Sequence, residues 1–280
     1  MIDTHLHFWD SSQLEYFWLT PDQPDALRQA HLPSMLETQI HASGVTQAVY
    51  VQASHDPREN IWALELARAH PWIAAVVGWL DLTHPALEMR LQPLLRDPRF
   101  KGVRHLTHAI TDPKWLLRPD VQRGLAVLEA YGLSLDLVLE PQQLKLAARV
   151  VNAFPRLAFV LDHLGNPPFD HRQSAWADDL RRLAQYPNLS AKVSGLLTRL
   201  PLELPPEQAS ESLRLAVALA FEEFGAQRLM YGSDHPVSAV KTPYTATLET
   251  IRAALPAFET AAASAFWAAT AQRVYRLGGA

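Results

Sequence analysis

Short apolar runs alternate with longer segments of helical period along this chain. The runs cover residues 2–8, 48–53, 73–80, 100–106, 134–139, 158–164, 189–196 and 229–236. They are six to eight residues long and rich in Val, Ile, Leu and Phe, which predicts eight buried strands. Between them, apolar residues recur every three or four positions over 33–41, 58–69, 85–95, 121–131, 142–152, 175–185 and 211–224, and this spacing predicts amphipathic helices. A last helical segment is expected over about 260–276. Pro33, Pro85 and Pro141 stand where a first helical turn accepts proline. Gly44, Gly132 and Gly225 stand where helices end.

Strands that alternate with helices pair in parallel, with the helices covering the sheet. Eight such units in 280 residues fit a single-domain (β/α)₈ barrel over residues 1–280 better than a doubly wound sheet. No GxGxxG follows the first strand, which further disfavours the latter. Residues 10–32, 201–207 and 234–244 lack a clear period and are predicted as loops or lids.

Composition narrows the function classes. There is no cysteine, so disulfides and thiolate metal sites are excluded, and any metal must be held by His, Asp, Glu or a modified Lys. Net charge is −4 and no Lys/Arg run occurs, so nucleic acid and anionic membranes are not expected partners. The N-terminus has no leader-like pattern, no apolar stretch is long enough to span a bilayer, and the expected location is cytoplasmic.

In a barrel the chemistry gathers at the carboxyl ends of the strands. Those ends carry His5 and His7, Gln52, Arg104 and His105, Asp136 followed by Glu140, Asp162 and His163, Lys192 and Ser194, and Asp234 and His235. Strand side chains alternate, so His5 and His7 share one face. They are either two polar strand residues or two nitrogens for one divalent ion. Asp234 either caps a turn or serves as a base and metal ligand completing a ring with that pair. His163 either packs in the core or faces the substrate. Asp162 alternates away from it and is expected to pair with helices or loops. Of Arg104 and His105, only one should face the axis. Lys192 is costly to bury alone, so it is either paired or functional. Trp79 offers an apolar wall for a sugar ring. His31, His41, His70, His84 and His171 are expected at the surface.

The segments IDTHLHFWD, FKGVRHL, FVLDHLGNPP, LSAKVSGL and GSDHPV, in this order across nearly the whole chain, resemble the amidohydrolase superfamily. The likeness is to its amidohydrolase 2 branch, and within it to sugar-lactone hydrolases such as L-fuconolactonase and L-rhamnonolactonase. The resemblance implies a (β/α)₈ barrel that hydrolyses a cyclic ester in sugar-acid catabolism. It implies catalytic roles for Asp234 and His163. It assigns substrate contacts to Arg104, His105 and Trp79, and Gln52, Lys192 and His235 are added as further candidates. It also implies one divalent ion, zinc or similar, on His5, His7 and Asp234, although some lactonases of the branch act without metal. The chain departs from the pattern in two places. His235 stands where relatives more often carry tryptophan, and neither Asp136 nor Glu140 matches the usual fifth-strand ligand.

With no Gly-x-Ser-x-Gly elbow and no thiol, direct attack of water on the lactone is the expected route. The rival activities are hydrolysis of a carboxylated lactone (muconolactone or pyrone dicarboxylate type) and metal-dependent decarboxylation. A non-catalytic binding barrel ranks last.

Overall fold

The structure, a computed structural model, describes residues 1–170 and 172–278. Eight strands form one parallel sheet in sequential order: β1 (Ile2–Leu6), β2 (Gln47–Val51), β3 (Ile73–Gly78), β4 (Phe100–His105), β5 (Ser134–Leu137), β6 (Ala158–Leu161), β7 (Leu189–Val193) and β8 (Leu229–Tyr231). A parallel bridge between Leu6 and His235 brings the last strand back to the first. Helices flank this nearly closed sheet, and the predicted (β/α)₈ barrel is observed. Each strand starts at or within one residue of its predicted run but ends one to five residues sooner, because the last residues of each run belong to the connection that follows.

The apolar residues divide into two layers. Leu6, Phe8, Tyr50, Val103, Phe159 and Val193 point outward beneath the helices. Ile2, Val49, Val51, Val77, Val160 and Met230 fill the barrel interior, where Tyr275 and Leu277 plug the base. That plug continues the C-terminal helix, whose segments Thr260–Ser264 and Thr270–Tyr275 are joined by a π-helical stretch, Ala265–Ala269.

Two helical predictions need correction. The segment expected at 85–95 is helical only over Leu87–Leu91, because Pro93 has no N–H to continue the hydrogen-bond ladder, and a separate 3₁₀ turn follows at Leu94–Arg96. A helix at Tyr244–Ala254 was not expected. Its buried residues Tyr244, Thr247, Leu248 and Ile251 follow the helical period, but Thr247 among them obscured it.

Candidate active site

The site begins with the alternation of β1. Leu6 and Phe8 pack outward, so His5 and His7 both turn into the barrel mouth. Their Nε2 atoms lie 3.1 Å apart. Asp234 Oδ1 is 3.6 Å from Nε2 of His5 and 3.4 Å from that of His7. Asp234 reaches this position through a left-handed backbone, φ 59°, which turns the chain sharply after β8. Asp3 anchors the same turn: its carboxylate accepts from the backbone N–H of His5 and of Ser233 and from the Tyr244 hydroxyl.

Each imidazole has a partner behind it. His7 Nδ1 lies 2.8 Å from the Val51 carbonyl, which can only accept, so its proton is on Nδ1 and its Nε2 lone pair faces the mouth. His5 Nδ1 has Asp162 Oδ1 at 3.3 Å and Lys192 Nζ at 3.2 Å. Burial pushes the His5 imidazole well below its ordinary range; Asp162 opposes this and Lys192 reinforces it. Burial, then Arg104, lowers His7 as well. Burial alone would raise Asp234, but His163, His7 and His5 outweigh it and bring the carboxyl to about 2. Neutral imidazoles beside an ionised carboxylate, three acceptors converging within 4.8 Å of one another, make a donor set that fits a divalent cation. With the His5 proton on Nδ1 toward Asp162, both Nε2 lone pairs face that point.

Asp162 corrects the expectation that it would point away. It lies inside the barrel, in ion pairs with Lys192 at 3.0 Å and Arg104 at 3.7 Å. Asp162 follows Val160 onto the interior face; His163 and Leu164 are both left-handed, so His163 reaches the interior as well. Burial would raise Asp162, but Lys192 and His5 hold it well below the usual carboxylate range. Lys192 is fully buried, paired with Asp136 at 2.6 Å and with Asp162. It is not among the residues that line the central cavity. The Tyr275 hydroxyl donates to Asp136 at 2.7 Å, tying the base of the barrel to this ion network.

His163 lies beside His5, ring centroids 4.6 Å apart, with its Nδ1 2.9 Å from Ser194 Oγ. The KVSG segment ends in glycine for a physical reason. Gly195 has φ +63°, and a Cβ there would lie 2.5 Å from His163 Nδ1. Gly232 is similarly constrained, with room for a Cβ blocked by that of His5 at 2.6 Å.

Arg104, not His105, faces the axis. The side-chain oxygen of Gln52 accepts from Arg104 Nε and Nη2 at 3.1 and 2.8 Å, its backbone carbonyl accepts from Nη2, and Arg104 Nη1 lies 3.4 Å from His5 Nε2. Gln52 is itself fully buried and holds Arg104 instead of lining the cavity. His105 Nε2 bonds the Leu80 carbonyl, and its ring packs between Trp79 and Trp115. Trp79 stacks on His55. His235 packs against Tyr244 and His31. Burial and His31 lower its pKa to about 4. His105, Trp79 and His235 thus surround the mouth without lining the central cavity. His31 is half-buried against Trp9, not free at the surface; His70 and His84 are also partly buried, His41 is exposed, and His171 lies outside the described residues.

The central cavity has a volume of about 450 Å³ and opens over His7, His163, Asp234 and Arg104. Its lining also includes Glu140, noted in the sequence after the fifth strand, and residues the sequence did not mark: Phe17, Trp18 and Leu27 from the segment after β1, His108 and Asn166 from later connections, and Arg199 from the short helix Leu196–Arg199.

Residues 2–277 match the amidohydrolase family. The chain belongs to that family. It is 33% identical to L-fucono-1,5-lactonase of Burkholderia multivorans over 286 residues, covering 99% of this chain and 96% of that protein. It is also 33% identical to L-fucono-1,5-lactonase of Burkholderia ambifaria over 238 residues, covering 85% of this chain and 80% of that one. A crystal structure of an amidohydrolase from Burkholderia multivorans with bound zinc superimposes with a TM-score of 0.92 at 31% identity, covering 99% of each chain. No helix among the described residues is long and apolar enough to cross a membrane.

Proposed function

We propose that this amidohydrolase opens the ring of a small sugar-acid lactone, of the L-fucono-1,5-lactone type, by direct attack of water. The reading rests chiefly on the convergence of His5, His7 and Asp234 at the floor of a cavity that can seat a small ring. The two lactonase relatives supply the substrate class.

Asp234 is the base. Its carboxylate is ionised across the physiological range, so it can take a proton from water as the water oxygen bonds the lactone carbonyl carbon. The ring C–O bond then breaks, and the same carboxyl returns the proton to the departing ring oxygen. The product is an open-chain hydroxy acid, which ionises in solution. His163 supports the developing oxyanion. When Ser194 donates to its Nδ1, its Nε2–H is free to donate into the cavity. Arg104 adds positive charge, and Gln52 fixes its orientation. A divalent ion would be held by His5, His7 and Asp234, where it would polarise the carbonyl or acidify water.

Asp234→Asn should lower turnover by about 10²–10⁴-fold, the usual worth of a general base, with an unchanged circular dichroism spectrum. A pH-indicator assay on L-fucono- and L-rhamnonolactones, with and without chelator, measures it. Full activity of the Asn variant would remove Asp234 from the base role.

A further inference from the structure

The cavity above the three-residue floor has two unlike sides. The strand order places β8, β1 and β2 on one arc of the barrel and β4 to β7 on the opposite arc. The first arc presents Phe17, Trp18 and Leu27. Trp18 spends its indole N–H on the Ala53 carbonyl at 2.7 Å, so it offers the cavity mainly carbon. The second arc presents His108, Glu140 and Arg199, with Arg199 Nη2 3.1 Å from Glu140 Oε2.

The charges on this second arc bear on the kind of ligand. Arg199 already faces a carboxylate, and Arg104 is engaged by Gln52, with Asp162 at 3.7 Å. A substrate carboxylate would compete with Glu140 at one guanidinium and find the other occupied. Neighbouring hydroxyls meet no such conflict, because a partly exposed ion pair keeps lone pairs and N–H groups for both donors and acceptors.

We propose that Glu140 and Arg199 bind the ring hydroxyls while Phe17, Trp18 and Leu27 seat an alkyl terminus. The enzyme then selects neutral polyhydroxylated lactones ending in a methyl group over those ending in hydroxymethyl or carboxylate. The inference rests on the lactonase reading of the same centre.

The test compares L-fucono-1,5-lactone with L-galactono-1,5-lactone, which differs by one hydroxyl at the terminal carbon, and with the matching aldaric acid monolactone. Binding of the corresponding non-hydrolysable lactams is measured in parallel. The methyl substrate should lead in kcat/KM by about 10–100-fold, the range an apolar pocket achieves against an added hydroxyl. Leu27→Asn should bring that ratio toward unity. Phe17→Ser, at a half-exposed position that tolerates polarity, should narrow it even where the Leu27 variant folds poorly. Glu140→Gln should raise KM about tenfold with little change in kcat, the signature of a ground-state contact. Hydrolysis without methyl preference, or a preference untouched by both wall variants, would overturn the proposal and leave the lactonase reading standing. Methyl-selective lactam binding without hydrolysis would do the reverse. Neither binding nor hydrolysis would end both.

Discussion

Lys192 Nζ lies 3.0 Å from Asp162 Oδ1, fully buried, immediately behind His5. The pair is part of a charged column on the barrel axis that also holds Asp136 and Arg104. A buried ion pair is poor evidence of extra stability, but breaking one exposes its full desolvation cost.

Lys192→Met should therefore destabilise the protein by about 3–5 kcal/mol, since two carboxylates lose their shared cation. Adding Asp136→Asn should recover part of the loss. Denaturant melts of the single and double variants measure both, and a Lys192 variant as stable as the parent would contradict the charge column.

Asp162 bears on metal binding through His5. Asp162→Asn weakens the acceptor that favours the His5 tautomer with its Nε2 lone pair toward Asp234. Zinc affinity, measured by competition with a chelating dye, should fall about 10–100-fold, as for other groups that orient a ligand from behind. Unchanged affinity would show that Asp162 does not orient His5.

Gly195→Ala forces a side chain into a left-handed backbone and against the His163 ring. The backbone penalty alone is about 1–2 kcal/mol. Displacing His163 by an ångström should lower kcat/KM by about 10²-fold. Gly44→Ala is the control: its φ is +79° but the nearest atom is Met1 Cε at 3.6 Å. It should lose stability and keep activity.

Glu59 gives the fold a pH dependence of its own. Its carboxylate accepts from the Tyr50 hydroxyl and the Ala53 and Ser54 amides, at 2.9 to 3.0 Å. Burial nevertheless pushes its pKa up from 4.5 to about 7. Between those values the folded chain holds more protons than the unfolded one, so stability should fall as pH rises through that window and level off above it. The change attributable to this group is on the order of 2–3 kcal/mol. Glu59→Gln should flatten the slope in melts at pH 5 and pH 7.5.

The fold was legible because each strand is a compact apolar run and each helix carries its own period. The pairing of His5 with His7 followed from alternation alone; alternation also required that only one of Arg104 and His105 face the axis, and the structure shows that it is Arg104. Asp162 follows Val160 onto the interior face; it was misplaced because that face was given to His163, and no residue type at 163 or 164 announces the left-handed turn that brings His163 inward as well. Lys192 had to be paired or functional, and the structure shows it paired; its partners come from β5 and the end of β6, a three-dimensional relation that linear spacing does not encode. Arg199 and the aromatic wall come from the loops and short helices that follow the strands, where neither period nor run marks a residue.

Closure of the barrel through Leu6 and His235 has a consequence for biosynthesis. A ribosome must release some 230 residues before the carboxylate at 234 can meet the imidazoles made first, and the Tyr275 plug emerges later still. The three-residue cluster therefore cannot assemble on a growing chain until residue 234 has emerged. Proteolytic clipping near either edge of this seam should abolish function outright instead of leaving a weakened fragment.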